Sequence, residues 1–120
     1  MADVLPFLVD SHCHLDFDAF DAERDEVIAR AHAAGVGCMV TICTRVRQFE
    51  RIYAVAQAYD SVFCSAGTHP HNAGEETDIT VDDLLELTTR PKVVAIGEAG
   101  LDYFYYHAPR DAQAAGLRVH

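Results

Sequence analysis

The chain has 120 residues, half of them hydrophobic and 23% charged, which suits one domain with a real core and is too short for two. No apolar run approaches the ~20 residues that span a bilayer. The segment Met1–Asp10 lacks the basic region of a secretory signal, so we expect a cytoplasmic protein. The net charge of −10 argues against a broad basic surface for nucleic acid, so a polyanionic substrate would need bound cations. The alternative is that the acidity only maintains solubility.

Four strand–helix units follow one another along the chain. Short apolar runs predict strands at residues 7–10, 36–42, 62–67 and 92–97. The spacing of apolar residues and the capping signals predict helices at residues 21–34 and 45–59, from Thr80 onward, and from Pro109 to the end. This alternation predicts a parallel α/β sheet, and the near-continuously apolar strands favour a sheet that is covered on both faces.

The cysteines predict no structural metal site. They form no CxxC pair, and three of them lie in or beside apolar runs, where free cysteine behaves as a small buried hydrophobe. We therefore expect reduced, structural thiols at all four positions: Cys13, Cys38, Cys43 and Cys64.

Two histidines follow the first predicted strand, in the segment Asp10–Asp16 (DSHCHLD). Residues two apart in extended chain point the same way, so Asp10, His12 and His14 are predicted to share one face. The two imidazoles could converge on one cation, with Asp10 accepting the second N–H of a ligand ring. The alternative is that this HxH pattern is a coincidence in a hydrogen-bonded loop.

A carboxylate follows the fourth predicted strand, in the segment Gly97–Tyr103 (GEAGLDY). The carboxyl ends of parallel strands meet at one edge, where parallel barrels build their active sites. Glu98 is therefore predicted to lie near His12 and His14 and could bridge two cations. The alternative is that Glu98 only stabilises its loop.

Further polar and aromatic residues follow the third and fourth strands. His69 and His71 could bind phosphate oxygens or act as extra metal ligands, or they could be exposed imidazoles in a loop stiffened by Pro70. Asp102 could position its loop through backbone hydrogen bonds. The aromatic run Tyr103–Tyr106 could stack nucleobases, although four neighbouring aromatic residues more often pack within a loop.

The three segments DSHCHLD, GTHPH (67–71) and GEAGLDY, in this order, resemble the TatD family of metal-dependent deoxyribonucleases. The resemblance runs from Phe7 to His120. It implies a (β/α) TIM-barrel-type fold, of which residues 1–120 supply about the first half, four βα units, since a complete barrel takes roughly 250 residues.

The resemblance also implies a function. His12, His14 and Glu98 would be metal ligands, and Glu98 would bridge two divalent cations (Mg, Mn or Zn) as the catalytic residue of this chain, while His69 and His71 would bind substrate. The reaction would be hydrolysis of DNA phosphodiester bonds, and the family's remaining ligands, two His and an Asp, come from later strands. The alternatives are an inactive fragment that binds metal weakly and another amidohydrolase-like metallohydrolase. We expect no membrane partner, and self-association through open sheet edges.

Overall fold

The computed structural model describes residues 7–120, so part of the segment for which the sequence predicts no secretory signal lies outside the described residues. The strands are β1 (Leu8–Cys13), β2 (Val36–Thr41), β3 (Val62–Ala66) and β4 (Val93–Ile96). The α-helices are α1 (Arg24–Ala33), α2 (Phe49–Ala58), α3 (Val81–Thr88) and α4 (Arg110–Val119). None of the helices within residues 7–120 has the length and apolar character needed to cross a membrane.

The four strands form one parallel sheet in the order β1-β2-β3-β4. The predicted parallel α/β arrangement is confirmed, and all four strands bring their carboxyl ends to the same edge. Strands β1 and β4 are the outer strands, and each carries exposed apolar side chains: Leu8, Val9, Val94 and Ile96.

The core lies between the inner strands and the helix that connects them. Helix α2 has an apolar face because Phe49, Ile52 and Ala56 recur at helical spacing, and all three are buried. They pack in one cluster with Val62 and Cys64 of β3. Burial of each large apolar side chain contributes ~1.5–3 kcal/mol, so this cluster is what fixes the inner strands and their carboxyl ends.

Several element bounds differ from the prediction, and helix α1 begins at Arg24 instead of residue 21. Strand β1 continues to Cys13, so His12 lies within the strand instead of following it. The segment 45–59 begins with a 3₁₀ turn, Val46–Gln48, before α2 starts at Phe49. Pro109 is the N-cap of α4 and not its first helical residue, because its ψ of 146° is extended.

The sequence correctly predicted the cap of α3 and the free state of the cysteines. Thr80 caps α3 in a capping box, accepting from the Asp83 N–H at 3.1 Å while the Asp83 carboxylate accepts from the Thr80 N–H at 2.8 Å. All four cysteines are free, as predicted. Burial raises the pKa of Cys43 to about 11 and that of Cys13 to about 12, which keeps both thiols protonated near neutral pH.

Candidate metal centre

The two histidines of the HxH pattern lie together where β1 ends. Their ring centroids are 5.2 Å apart, while Cys13 between them packs against the core. Asp10 was predicted to contact a histidine ring, but it contacts the strand backbone instead. The Asp10 carboxylate accepts a hydrogen bond from the backbone N–H of His12 at 3.1 Å and so shapes the strand end instead of a ring.

Glu98 reaches the same place from β4. Its Oε2 atom lies 3.3 Å from Nε2 of His12. Two features of β3 hold the β4 end close. The buried Ser65 hydroxyl accepts from the Cys43 N–H at 3.0 Å and donates to the Gly97 carbonyl at 2.8 Å. Gly67 permits the approach, because a Cβ there would lie 2.5 Å from the carbonyl carbon and oxygen of Gly97.

His12, His14 and Glu98 each offer one ligand atom, and these atoms lie within 4.8 Å of one another. The ring atom Nδ1 of His14 is buried without a hydrogen-bond partner within the described structure. A buried polar atom without a partner is costly, and a cation would satisfy it. Two imidazoles and one carboxylate are also the donor set that suits a transition metal. These residues therefore fit a divalent cation.

His69 supports Glu98 from the β3 side. Its Nδ1 atom accepts a hydrogen bond from the His71 backbone N–H at 3.0 Å, so a neutral ring carries its proton on Nε2. That Nε2 atom lies 3.3 Å from Oε1 of Glu98, where its N–H can donate to the carboxylate. Burial lowers the pKa of His69 and outweighs the nearby Glu98 charge, which raises it. The lowered pKa favours this neutral form.

His71 lies beside His69 and faces the loop that follows β4. Its Nε2 atom hydrogen-bonds the Asp102 carboxylate, and this bond is the first cause of a lowered Asp102 pKa. The other oxygen of Asp102 accepts from the backbone N–H groups of Phe104 and Tyr105, each at 3.1 Å. Asp102 thus holds its loop through backbone hydrogen bonds, as the sequence analysis predicted.

An open groove is lined by His14 and by both predicted substrate histidines. Phe17, which the sequence did not single out, stacks on His14 with centroids 4.7 Å apart. The groove is lined by His14, Phe17, Thr44, Arg45, His69, His71 and Asn72. The substrate-binding role of His69 and His71 stays a prediction, since their surroundings show only that they border the groove.

The sequence analysis did not identify Glu76 and His120, which join the loops around the site. The buried Glu76 carboxylate accepts from the backbone N–H groups of Val46 and Arg47 and from the Thr68 hydroxyl. It joins the loop after β2 to the loop that carries His69. His120, for which the sequence showed no partner, accepts from the Thr68 N–H at 2.9 Å. No local signal marks such contacts, which join residues distant in sequence.

A parallel sheet that carries two histidines and a carboxylate at its carboxyl edge is typical of metal-dependent hydrolases. The family model described as TatD related DNase matches residues 9–120, and the chain belongs to this family.

Named relatives agree with the match. The chain is 38% identical over 98 residues to the uncharacterized metal-dependent hydrolase YjjV of Escherichia coli K12, covering 80% of this chain and 38% of YjjV. It is 45% identical over 84 residues to the 3'-5' ssDNA/RNA exonuclease TatD of Cronobacter turicensis, covering 70% of this chain and 32% of that protein. It is 36% identical over 111 residues to the uncharacterized metal-dependent hydrolase YabD of Bacillus subtilis 168, covering 92% and 44%.

Solved structures extend the likeness to the fold. The crystal structure of YjjV, a TatD homolog from Escherichia coli K12, superposes with a TM-score of 0.82 at 33% identity over 92% of this chain and 44% of YjjV. A TatD-family hydrolase from Entamoeba histolytica gives the same TM-score at 24% identity, covering 45% of that chain. The predicted four βα units of a TIM-barrel-type fold are confirmed, and the chain spans less than half the length of these relatives.

Proposed function

We propose that this chain contributes the first part of a two-cation site that hydrolyses phosphodiester bonds of DNA. The observation that carries the proposal is the convergence of His12, His14 and Glu98, with the buried Nδ1 of His14 lacking a partner among the described residues. Divalent cations at such a site supply an activated water and stabilise the leaving oxygen. The Cronobacter relative, named as a 3'-5' ssDNA/RNA exonuclease, supports a nucleic-acid substrate.

Each residue has a separate task in this proposal. His12 and His14 bind the cation through ring nitrogens. Glu98 supplies a carboxylate that lies between His12 and His69. His69 donates from Nε2 to Glu98 and so fixes the direction of its carboxylate. His71 borders the groove with its Nε2 held by Asp102, which orients the ring toward a substrate phosphate.

Two alternatives to this function differ in what they predict. The match to TatD related DNase over residues 9–120 favours this family over an amidohydrolase-like one. A chain that binds metal weakly without catalysis is the other alternative, since three of about six ligands of a two-cation site lie in this chain. Metal binding and cleavage must therefore be measured separately.

The test combines calorimetric titration of Mn²⁺ and Zn²⁺ with cleavage of a labelled single-stranded DNA oligonucleotide. We expect metal binding that Glu98→Gln and His12→Ala weaken, because each removes one donor from the group. Loss of a residue that only supports a metal ligand typically lowers affinity 10–100-fold, so loss of a ligand should lower it at least as much. The matched control is Glu26→Gln, which changes an exposed carboxylate on α1 in the same way.

The outcomes separate the alternatives. Cleavage that requires added metal and is abolished by Glu98→Gln but not by Glu26→Gln supports the proposal. Metal binding without cleavage identifies the weakly binding fragment. Equal metal affinity in the wild type and Glu98→Gln would refute the assignment of this group as the metal centre.

A further inference from the structure

The loop after β4, residues 102–108, is fastened at both ends, and we call it the aromatic loop. Gln113 of α4 is buried, with 1% of its surface exposed. Its side-chain oxygen accepts from the Asp102 N–H at 2.6 Å. Its amide nitrogen donates to the carbonyls of Asp102, at 3.1 Å, and Ala108, at 2.8 Å. One side chain thus fixes the spacing of the two loop ends.

The aromatic side chains of this fastened loop remain outside the core. Their exposed fractions are 41% for Tyr103, 87% for Phe104, 63% for Tyr105 and 54% for Tyr106. Packing within the loop, the commoner interpretation of such a run, includes an edge-to-face contact between the Phe104 and Tyr105 rings at 4.8 Å, but it leaves all four rings exposed. A fixed backbone that presents exposed aromatic rings is suited to binding a flat ligand, since little order must be gained when it binds.

The exposed rings are continuous with the candidate metal centre. The His71 ring lies 5.8 Å from that of Tyr105 and 4.6 Å from that of His107. On its other side, His71 lies 4.3 Å from His69, which contacts Glu98. The rings of Tyr105 and His107 are nearly parallel, at 4° and 5.8 Å. A chain molecule bound at the candidate metal centre would therefore have these rings beside it.

The charged side chains that contact this loop include Asp102 and Arg110. Both oxygens of Asp102 are hydrogen-bonded, to His71 and to the loop backbone. Arg110 places its guanidinium 4.5 Å from the Tyr103 ring centroid. With a net charge of −10, the chain has few cations for phosphates, so its affinity must come mainly from the bases.

We infer that the aromatic loop is a stacking surface for unpaired bases of a single-stranded nucleic acid. The inference rests on the proposed function for the position of the reacting phosphate, and it goes further by assigning a base subsite to residues 104, 105 and 107. Paired bases present only their edges to a protein surface, so a duplex of the same sequence should bind less well.

The test measures binding without cleavage. Fluorescence anisotropy of a labelled thymidine oligonucleotide, with phosphorothioate linkages that resist cleavage, is recorded in Mn²⁺, beside an abasic oligonucleotide of equal length and the same linkages. We expect Tyr105→Ala to weaken thymidine binding about 5- to 150-fold, which corresponds to the ~1–3 kcal/mol of one stacked base. Tyr105→Phe keeps the ring and should bind as the wild type does.

Controls separate stacking from folding and from charge. Leu85→Ala removes an exposed apolar side chain from α3 and should leave binding unchanged, and circular dichroism must show that Tyr105→Ala folds. The salt dependence should be shallow, with a slope of log affinity against log salt of about −0.7 to −1.4, as for one or two phosphate contacts.

The outcomes also separate this inference from the proposed function. Equal affinity for the thymidine and abasic oligonucleotides, no binding of either, or wild-type affinity in Tyr105→Ala would overturn the stacking surface even if the chain cleaves DNA. Base-dependent binding that needs Tyr105, in a chain without metal-dependent cleavage, would leave the stacking surface in place and refute the proposed function alone.

Discussion

Replacing the buried Glu76 by glutamine should destabilise the protein far more than the same change at its neighbour Glu75. The Glu76 side chain is 6% exposed, and its oxygens accept from Val46 N–H at 2.8 Å, Arg47 N–H at 2.9 Å and the Thr68 hydroxyl at 2.6 Å. Glutamine exchanges one of these acceptor oxygens for an NH₂ donor, so a backbone N–H at the start of the 3₁₀ turn loses its partner.

The magnitude follows from the bonds that are lost. One hydrogen bond to a charged group contributes ~1.5–3 kcal/mol, and a buried donor without a partner costs ~1–3 kcal/mol, with partial overlap between the two. We expect Glu76→Gln to lower the free energy of unfolding by about 2–4 kcal/mol. Glu75 is exposed and pairs with Arg45 at 2.9 Å, an interaction worth ~0–1 kcal/mol, so Glu75→Gln should have little effect.

Urea unfolding followed by far-ultraviolet circular dichroism measures both variants under the same conditions. The difference between their midpoints, multiplied by a common slope, gives the difference in stability. If Glu76→Gln unfolds within error of Glu75→Gln, the buried carboxylate does not join the two loops as argued. A variant that fails to fold, beside a folded Glu75→Gln control, would agree with the upper end of the expected range.

Two further predictions concern pH and association. The pKa of Asp83 is lowered by the Thr80 N–H, so its contribution to stability is complete above its ordinary value of 3.8 and is lost as the pH falls through the lower folded value. Asp83→Asn should therefore lower the urea midpoint at pH 7, and its deficit should shrink below pH 3.8; a deficit independent of pH would contradict the capping-box charge. Because β1 and β4 are open edges with exposed apolar residues, the 120-residue chain should self-associate in analytical ultracentrifugation, and Val94→Lys should weaken the association. A wild-type monomer at all concentrations would refute this expectation.

The sequence predicted those parts of the fold and site that depend on local patterns. Apolar runs and helical spacing located four strands and four helices, and the period of two in extended chain placed His12 and His14 together. Because parallel strands end at one edge of their sheet, the position of Glu98 after the fourth strand was enough to place it near them. Thr80 was identified because a capping signal needs only the next three residues.

What the sequence did not predict depends on contacts between distant segments. Ser65 joins Cys43 to Gly97, and Gln113 joins two ends of a loop that precedes its own helix. A buried serine or glutamine has the same local pattern as an exposed one, so only the packed structure distinguishes them. The exposure of the aromatic run Tyr103–Tyr106 was likewise undecided, because a loop's sequence does not show which way its rings face.

Gly67 limits which sequences can carry this site. A methyl group at that position would lie 2.5 Å from the Gly97 carbonyl, and ordinary contact would push the β4 end away by about 1 Å. Bond lengths in metal sites lie within about 0.2 Å of their standard values, so a shift of this size would disrupt the metal centre proposed above. Any side chain at residue 67 would therefore separate Glu98 from His12 unless β4 changed at the same time. A sequence with another residue at position 67 would therefore need a compensating mutation at the end of β4, that is, two coordinated mutations.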